Sequence, residues 1–253
     1  MGFLEVAVEV VEAAGEIAVK YFGQNLDRDF KQDKSFATQA DLEAEQAMRK
    51  IIELKYPNHD ILGEELGDKP GESEFQWILD PIDGTRNYSF GVPRYTCAAA
   101  LLHQGDLVFS AILDPSTQEL FTAEVGRGAK LNGQELKIGD TPPLSTAIIA
   151  FGRGRADRSE FHKLFARIEP EIGSPRIMGS SLLMMTEVAR GRFGGMITTI
   201  DNIWDMAAGV LLVRAVGGMA LNFNGEQWTT TDKEVVLGSK EIAQELVAFI
   251  KSP

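Results

Sequence analysis

Residues 77 to 85 read Trp-Ile-Leu-Asp-Pro-Ile-Asp-Gly-Thr, an apolar run that stops on a carboxylate, adds a second carboxylate three positions on, and opens into Gly-Thr. Asp80 and Asp83 offer hard oxygen ligands of the kind that suit Mg²⁺, Mn²⁺ or Ca²⁺ rather than zinc. Pro81 lacks an N–H and has a fixed φ, so the chain leaves a sheet sharply here and the Ile82 carbonyl can turn inward as a third oxygen. Gly84 lets backbone amides approach an anion closely, and Thr85 can cap a helix whose N-terminus attracts phosphate. Cation ligands thus stand directly beside oxyanion donors. Asp, Pro and Gly also build ordinary surface turns, and on this segment alone both readings stand.

Other carboxylates sit at the ends of the elements that would have to position them. Glu64-Glu65 follows a strand ending at Leu62, and Asp205 opens a helix at Trp204-Asp205-Met206-Ala207-Ala208 that stops at Gly217-Gly218. Thr38-x-x-Asp41 has the spacing of a capping box at the start of a helix from about Gln39 to Tyr56, with Pro57 as the stop. Singly, each has a plainer explanation: a solvated acidic loop for Glu64 and Glu65, a favourable charge at a helix start for Asp205, a cap for Asp41.

The remaining elements follow from periodicity. Leu4, Ala7, Val8, Val11, Ala14, Ala18 and Tyr21 recur at helical spacing before Gly23, which predicts an amphipathic helix over 3–22. Short apolar runs predict strands over 60–62, 75–79, 95–103, 107–113 and 120–123, with Gln104-Gly105 and Asn132-Gly133 as hairpin turns. Helices are expected over 159–168, 180–190, 204–216 and 239–251, and strands over 176–178, 192–198, 218–223 and 234–237. Without regular βαβ alternation, the class is α+β, or layered α/β with largely antiparallel sheets. Pro142-Pro143 marks the expected division into 1–141, carrying most candidate ligands, and 142–253, carrying Asp205, within one compact unit.

Composition narrows the function classes. The 253 residues can bury a full core, and 44% hydrophobic with 25% charged residues is ordinary for a soluble enzyme. Lys plus Arg is 25 against 37 Asp plus Glu, a net charge of −12, which argues against a generic nucleic-acid or anionic-membrane surface. Glu5, Glu9, Glu12 and Glu16 interrupt the first turns, so no signal peptide is visible, and no apolar run reaches spanning length; a cytoplasmic protein is expected. Cys97 is the single cysteine, which excludes an intrachain disulfide or CxxC centre, and its apolar context makes it a core residue. His59, His103 and His162 stand in unlike contexts, so a zinc hydrolase or a Ser-His-Asp enzyme is hard to build.

Taken together, Gly63-Glu64-Glu65, the run from Trp77 to Thr85 followed by Asn87, and Trp204 to Gly209 leading to Gly217-Gly218 resemble, in order and spacing, the inositol monophosphatase family. These are lithium-sensitive, Mg²⁺-dependent phosphatases related to fructose-1,6-bisphosphatase, and the resemblance runs from about residue 3 to 250. It implies a layered α-β-α-β-α sandwich with largely antiparallel sheets, and a homodimer. It implies one Mg²⁺ held by Glu64, Asp80 and the Ile82 carbonyl, a second by Asp80, Asp83 and Asp205, and a weaker third near Glu64 through waters. Mn²⁺ would serve the same ligands. Asp41 and Thr85 match the pair that orients the attacking water, and the Gly84 and Thr85 amides match the phosphate donors.

On the substrate side, the resemblance places Gly179, Ser180 and Ser181 near the ligand. Inositol-type members carry a Glu seven residues before the late Asp, and Thr198 stands there in this chain, with Asp201 as a nearby substitute. Residues 31–41, Arg86-Asn87-Tyr88 and Gly91-Val92-Pro93 are similar to the histidinol-phosphatase branch. Lys31, Lys34, Arg86 and Arg94 either meet phosphate or belong to solvated surface. The expected reaction is hydrolysis of a small polyol or sugar phosphate, inositol 1-phosphate foremost, with histidinol phosphate or fructose 1,6-bisphosphate as alternatives. A regulatory binding partner with vestigial activity is the alternative from another class.

Overall fold

The computed structural model describes residues 2–24, 29–30, 36–139, 142–153, 158–199 and 202–252; Lys31, Lys34 and Asp201, and the expected boundary at residue 141, lie outside the described residues. Both helices form where the spacing predicts them: α1 (Phe3–Tyr21) buries Val6, Val10, Val11, Ala14 and Ala18 and leaves Leu4, Val8 and Tyr21 of the predicted stripe half-buried, and α2 (Gln39–Lys55) buries Ala40, Ala44, Met48 and Ile52 with Ile51 half-buried. Each helix therefore has one face to lay against a sheet.

Between them, β1 (Asp29–Phe30) and β2 (Phe36–Ala37) form a short antiparallel pair. The main sheet contains β3 (Asp60–Gly63), β4 (Gly67–Lys69), β5 (Phe75–Asp83), β6 (Thr96–His103), β7 (Asp106–Asp114), β8 (Glu119–Glu124), β9 (Gly128–Leu131) and β10 (Gln134–Leu136). Its order is β10-β9-β8-β7-β6-β5-β3-β4, antiparallel except for the parallel β3–β5 pair. Gln104-Gly105 and Asn132-Gly133 carry positive φ at both positions (53° and 90°, 49° and 79°), as two-residue hairpins require.

The second sheet holds β11 (Ile148–Gly152), β12 (Ser174–Arg176), β13 (Gly195–Thr199), β14 (Met219–Leu221) and β15 (Glu234–Gly238), in the order β12-β11-β13-β15-β14. Here β11 runs parallel to both neighbours and the other pairs are antiparallel. The other helices are α3 (Thr85–Ser89), α4 (Arg158–Ile168), α5 (Ser181–Ala189), α6 (Ala207–Ala215) and α7 (Lys240–Lys251).

Strand alternation sorts the apolar side chains into three cores. Ile61, Trp77, Leu79, Ala99 and Leu101 pack with Val10 of α1 and Met48 of α2. The opposite face of the same sheet, through Ile78, Ala98, Ala100 and Ile112, packs on Met185 of α5, Val210 of α6 and, from the second sheet, Ala150, Met196 and Leu237. The far face of the second sheet, with Ile149, Phe151 and Ile197, packs on Ile168 of α4 and Leu246 of α7. Helices, sheet, helices, sheet and helices follow in that order, which is the layered sandwich the resemblance implies. Cys97 lies inside the first core, and no described helix is long and apolar enough to cross a membrane.

Six strands escape the sequence pattern for physical reasons: β1 and β2 are only two residues each. β4, β9 and β10 are three or four residues long and only partly buried, too short to establish a period. In β11, four consecutive residues are buried, so the alternation that marks a one-sided strand is missing.

Trp77 is fully buried and donates from Nε1 to His59 Nδ1 at 3.1 Å. Trp77→Ala should lower stability by about 3–5 kcal/mol, read from urea unfolding; an unchanged midpoint would contradict the central place given to this side chain.

Candidate metal and phosphate site

The central geometry comes from a defect in β5. Asp80 pairs with Ala98 and Asp83 with Thr96, so Pro81 and Ile82 together stand opposite Cys97, a two-against-one bulge. Pro81 has no amide hydrogen to give the ladder, which is why the break falls there. Residues three apart on a regular strand face opposite sides; the bulge shifts the alternation, so Ile82 enters the core beside α1 and α2 while Asp83 joins Asp80 on the other face.

The parallel neighbour delivers the next carboxylate. In the register of β3 against β5, Gly63 lies beside Leu79, so Glu64 leaves its strand next to Asp80 and its amide donates to the Leu79 carbonyl at 3.3 Å. Asp205 arrives from the second half of the chain on a short 3₁₀ turn, Ile203–Asp205, that packs against β5. This turn precedes α6, so Asp205 sits ahead of the helix rather than in its first turn. Oxygens of Asp80, Asp83 and Asp205 all lie within 4.8 Å of one another.

The electrostatics of that cluster are severe. Asp80 is 1% exposed and neither of its carboxylate oxygens has a hydrogen-bond partner. Burial pushes its carboxyl well above the ordinary range, and the charges of Glu64, Asp83, Asp205 and Asp41 push it further. An orphaned, buried carboxylate among four others fits a multivalent cation, because such a charge offsets both the desolvation and the repulsion while the carboxylates stay ionised. All-oxygen ligands suit Mg²⁺ or Mn²⁺.

Asp83 is differently placed. Burial raises its carboxyl, but hydrogen bonds oppose the shift: Ser180 Oγ donates at 2.5 Å, the Leu182 amide at 2.7 Å and the Ser181 amide at 3.1 Å. Asp83 therefore closes the N-terminal end of α5 as well as offering an oxygen to the cluster. Ser180, expected to face substrate, is 1% exposed and spends its hydroxyl on Asp83, while Ser181 is half-buried beside it. Gly179 is exposed.

Gly84 holds φ at +92°, and a Cβ there would stand 3.0 Å from both the Arg94 carbonyl and the Ser180 Cβ, so glycine is required. It occupies the cap position of α3, and Thr85 is the first helical residue rather than the cap. The Thr85 hydroxyl donates to the Ile82 carbonyl at 3.1 Å. The Asp41 carboxylate bonds instead to Thr38, accepting from its amide at 2.8 Å and its hydroxyl at 2.5 Å through Oδ2. The capping box is real, yet Asp41 Oδ1 is buried without a partner, and burial, opposed by the Thr38 bonds, pushes the carboxyl up to about 6.

Thr198 is fully buried on β13, packed on Gly152, with no open face toward the cluster. Arg86 and Arg94 are exposed, and Arg94 Nη1 donates to its neighbour's Pro93 carbonyl. None of the histidines joins the site: His59 accepts from Trp77, His103 meets Glu74, and His162 is exposed on α4.

Residues 2–251 match the model of the inositol monophosphatase family. The chain belongs to that family. It is 36% identical to the inositol-1-monophosphatase of Rhizobium meliloti (strain 1021), covering 99% of this chain and 96% of that protein. It is 31% identical to the Nus factor SuhB of Pasteurella multocida (strain Pm70), covering 98% of this chain and 95% of that protein. The crystal structure of the extragenic suppressor protein suhB from Bartonella henselae superposes with a TM-score of 0.94 at 30% identity, covering 98% of each chain.

Two elements of this family member's site were missed in the sequence. Asn87 donates from Nδ2 to the Arg94 and Met178 carbonyls, at 2.8 Å each, tying the turn after β5 to the segment before α5. Glu45 and Arg49 lie behind Glu64; their spacing of four and eight residues from Asp41 places all three on one face of α2 and was the available signal.

A buried acid that holds its proton more tightly in the folded chain contributes stability below the ordinary carboxylate range and loses it as pH rises through the folded value. For Asp41 that window runs from 3.8 to about 6, and for Asp80 and Asp83 the shift has the same direction. In chelator at pH 7.5, Asp80→Asn should therefore melt above the wild-type chain, by about 2–4 °C for each kcal/mol of repulsion relieved, with the gap closing toward pH 4. Scanning calorimetry showing equal melting temperatures at pH 7.5 would contradict the repulsion.

Proposed function

We propose that the chain is a Mg²⁺-dependent phosphomonoesterase acting on a small polyol or sugar phosphate, inositol 1-phosphate foremost. The observation that carries this is the convergence of Asp83 and Asp205 on Asp80, whose two carboxylate oxygens are buried and orphaned. Glu64, Asp80, Asp83, Asp205 and the Ile82 carbonyl would hold two or three Mg²⁺, or Mn²⁺, which neutralise the ester's charge and acidify a water when bound.

The chain's own groups supply the rest. The Thr85 hydroxyl, donating to Ile82, keeps lone pairs with which to accept a hydrogen bond from the attacking water and hold it in place, and the free Oδ1 of Asp41 offers the acceptor for its proton. The Gly84 and Thr85 amides orient the phosphate, in a turn held open by the glycine's positive φ. Gly179 and Ser181 border the substrate, while Ser180 acts through Asp83. No protein nucleophile is needed: Cys97 is fully buried and its thiol is pushed up, first by burial and then by Asp80. Hydrolysis proceeds by direct attack with inversion at phosphorus.

The name of the Rhizobium meliloti relative favours inositol 1-phosphate. The buried Thr198, where inositol-type members place a hydroxyl-binding Glu, favours the histidinol-phosphate and fructose 1,6-bisphosphate alternatives. A homodimer in the cytoplasm belongs to the same proposal. The name Nus factor SuhB supports a binding role as a second reading.

A phosphate-release panel with inositol 1-phosphate, histidinol phosphate and fructose 1,6-bisphosphate, with and without Mg²⁺ and Li⁺, tests the assignment; no release from any ester would favour the binding role. Asp205→Asn should abolish turnover and keep the fold. Asp83→Asn should abolish turnover and also lower the melting temperature, because it disturbs the end of α5. Thr85→Ala should lower kcat by about 10²-fold or more with little change in metal affinity; a matching loss in both would reassign Thr85 to metal binding.

A further inference from the structure

The loop that carries Glu64 is gripped from behind by two charged residues that the proposed reaction does not use. Glu45 of α2 is fully buried, and its carboxylate accepts from Arg49 Nε at 2.8 Å, the Glu65 amide at 2.7 Å and the Leu66 amide at 3.1 Å. Arg49, 8% exposed, also donates through Nη2 to the Gly67 carbonyl. Glu65, Leu66 and Gly67, the three residues after Glu64, are thus each bonded to this pair.

Strand alternation explains how the grip reaches Glu64. Ile61 packs toward α1 and α2, so Gly63 faces α2 as well, and Glu64 points to the side occupied by Asp80. A Cβ on Gly63 would lie 2.1 Å from Glu45 Oε1, so β3 must be bare at that position for the carboxylate to reach the loop amides. On its other side Glu64 is fastened by its amide to the Leu79 carbonyl, one residue before Asp80. The loop is held between β5 and the helix. A buried ion pair carries a desolvation cost that apolar residues of the same size avoid, so what this pair adds is fixed geometry.

We infer that Glu45 and Arg49 are positioning residues that hold Glu64 against Asp80 and thereby set the affinity of the cation position to which Glu64 contributes. This rests on the proposed metal role of Glu64. The same face of α2 presents Asp41 one turn earlier, so a single helix face serves both the water-orienting carboxylate and the Glu64 loop.

The test is calorimetric titration with Mn²⁺ alone of the wild type, Glu45→Gln, Glu64→Gln and the double variant, each checked for folding by circular dichroism. Glu45→Gln should bind the ion roughly tenfold or more weakly, as loss of an outer ligand-supporting group does, and the double variant should bind no more weakly than Glu64→Gln. Failure of the wild type to take up Mn²⁺ would remove the metal reading and this inference with it. Wild-type uptake with an unchanged isotherm for Glu45→Gln, or additive losses in the double variant, would overturn the positioning role alone. Should Glu45→Gln not fold, Arg49→Lys, which keeps the charge and loses the reach to Gly67, enters the same cycle with the same outcomes.

Discussion

Mutual repulsion among buried carboxylates is the constraint that organises this molecule. Asp80, with no hydrogen-bond partner and four acidic neighbours, costs folding free energy wherever it is ionised without a counter-charge. The surrounding fold resists the resulting outward pressure with rigid supports: β5 and β6 under Asp80 and Asp83, β3 beside them under Glu64, and α2 behind. Asp80 and Asp83 stand on β5 itself, Glu64 in the loop directly after β3 and Asp205 on the 3₁₀ turn packed against β5, so all four candidate ligands are anchored to the first sheet.

Supports of two kinds are visible. Asp83 is satisfied by donors at the start of α5, and it therefore ties β5 to that helix as well as lying in the cluster. Asp80 is left bare, so only a proton or a cation relieves its charge. Adjacent carboxylates three residues apart are thus placed at opposite extremes of hydrogen bonding, which is what separates a structural acid from one kept available for a ligand.

Much of this was legible in the chain, and the illegible part has a common cause. Helical stripes located α1 and α2 to within a residue, turn chemistry located both hairpins, and local motifs marked Asp80, Asp83 and Glu64 because each closes an apolar run. The Thr38–Asp41 spacing predicted a capping box that exists. What spacing does not encode is contact between distant segments. Ser180 was expected to face a ligand and instead meets Asp83 from 97 residues away, and the Thr85 hydroxyl chose the Ile82 carbonyl over Asp41. Thr198 sits on a strand whose buried face could not be assigned before the second sheet was built, since β11, its packing partner, lacks alternation. Glu45 looked like any acidic residue on a helix until Gly63 was seen to leave room for it.

The bulge at Pro81-Ile82 places one residue more between the two aspartates than the partner strand carries opposite it. Removing it would restore a regular ladder with the carboxylates two positions apart and still on one face, so what the extra residue adds is the interruption itself, which leaves the Ile82 carbonyl to the Thr85 hydroxyl. Neither intervening side chain is free to change: Pro81 withholds the amide that would close the ladder, and Ile82 is fully buried beside α1 and α2. The segment is therefore constrained in what its residues are as well as in how many there are.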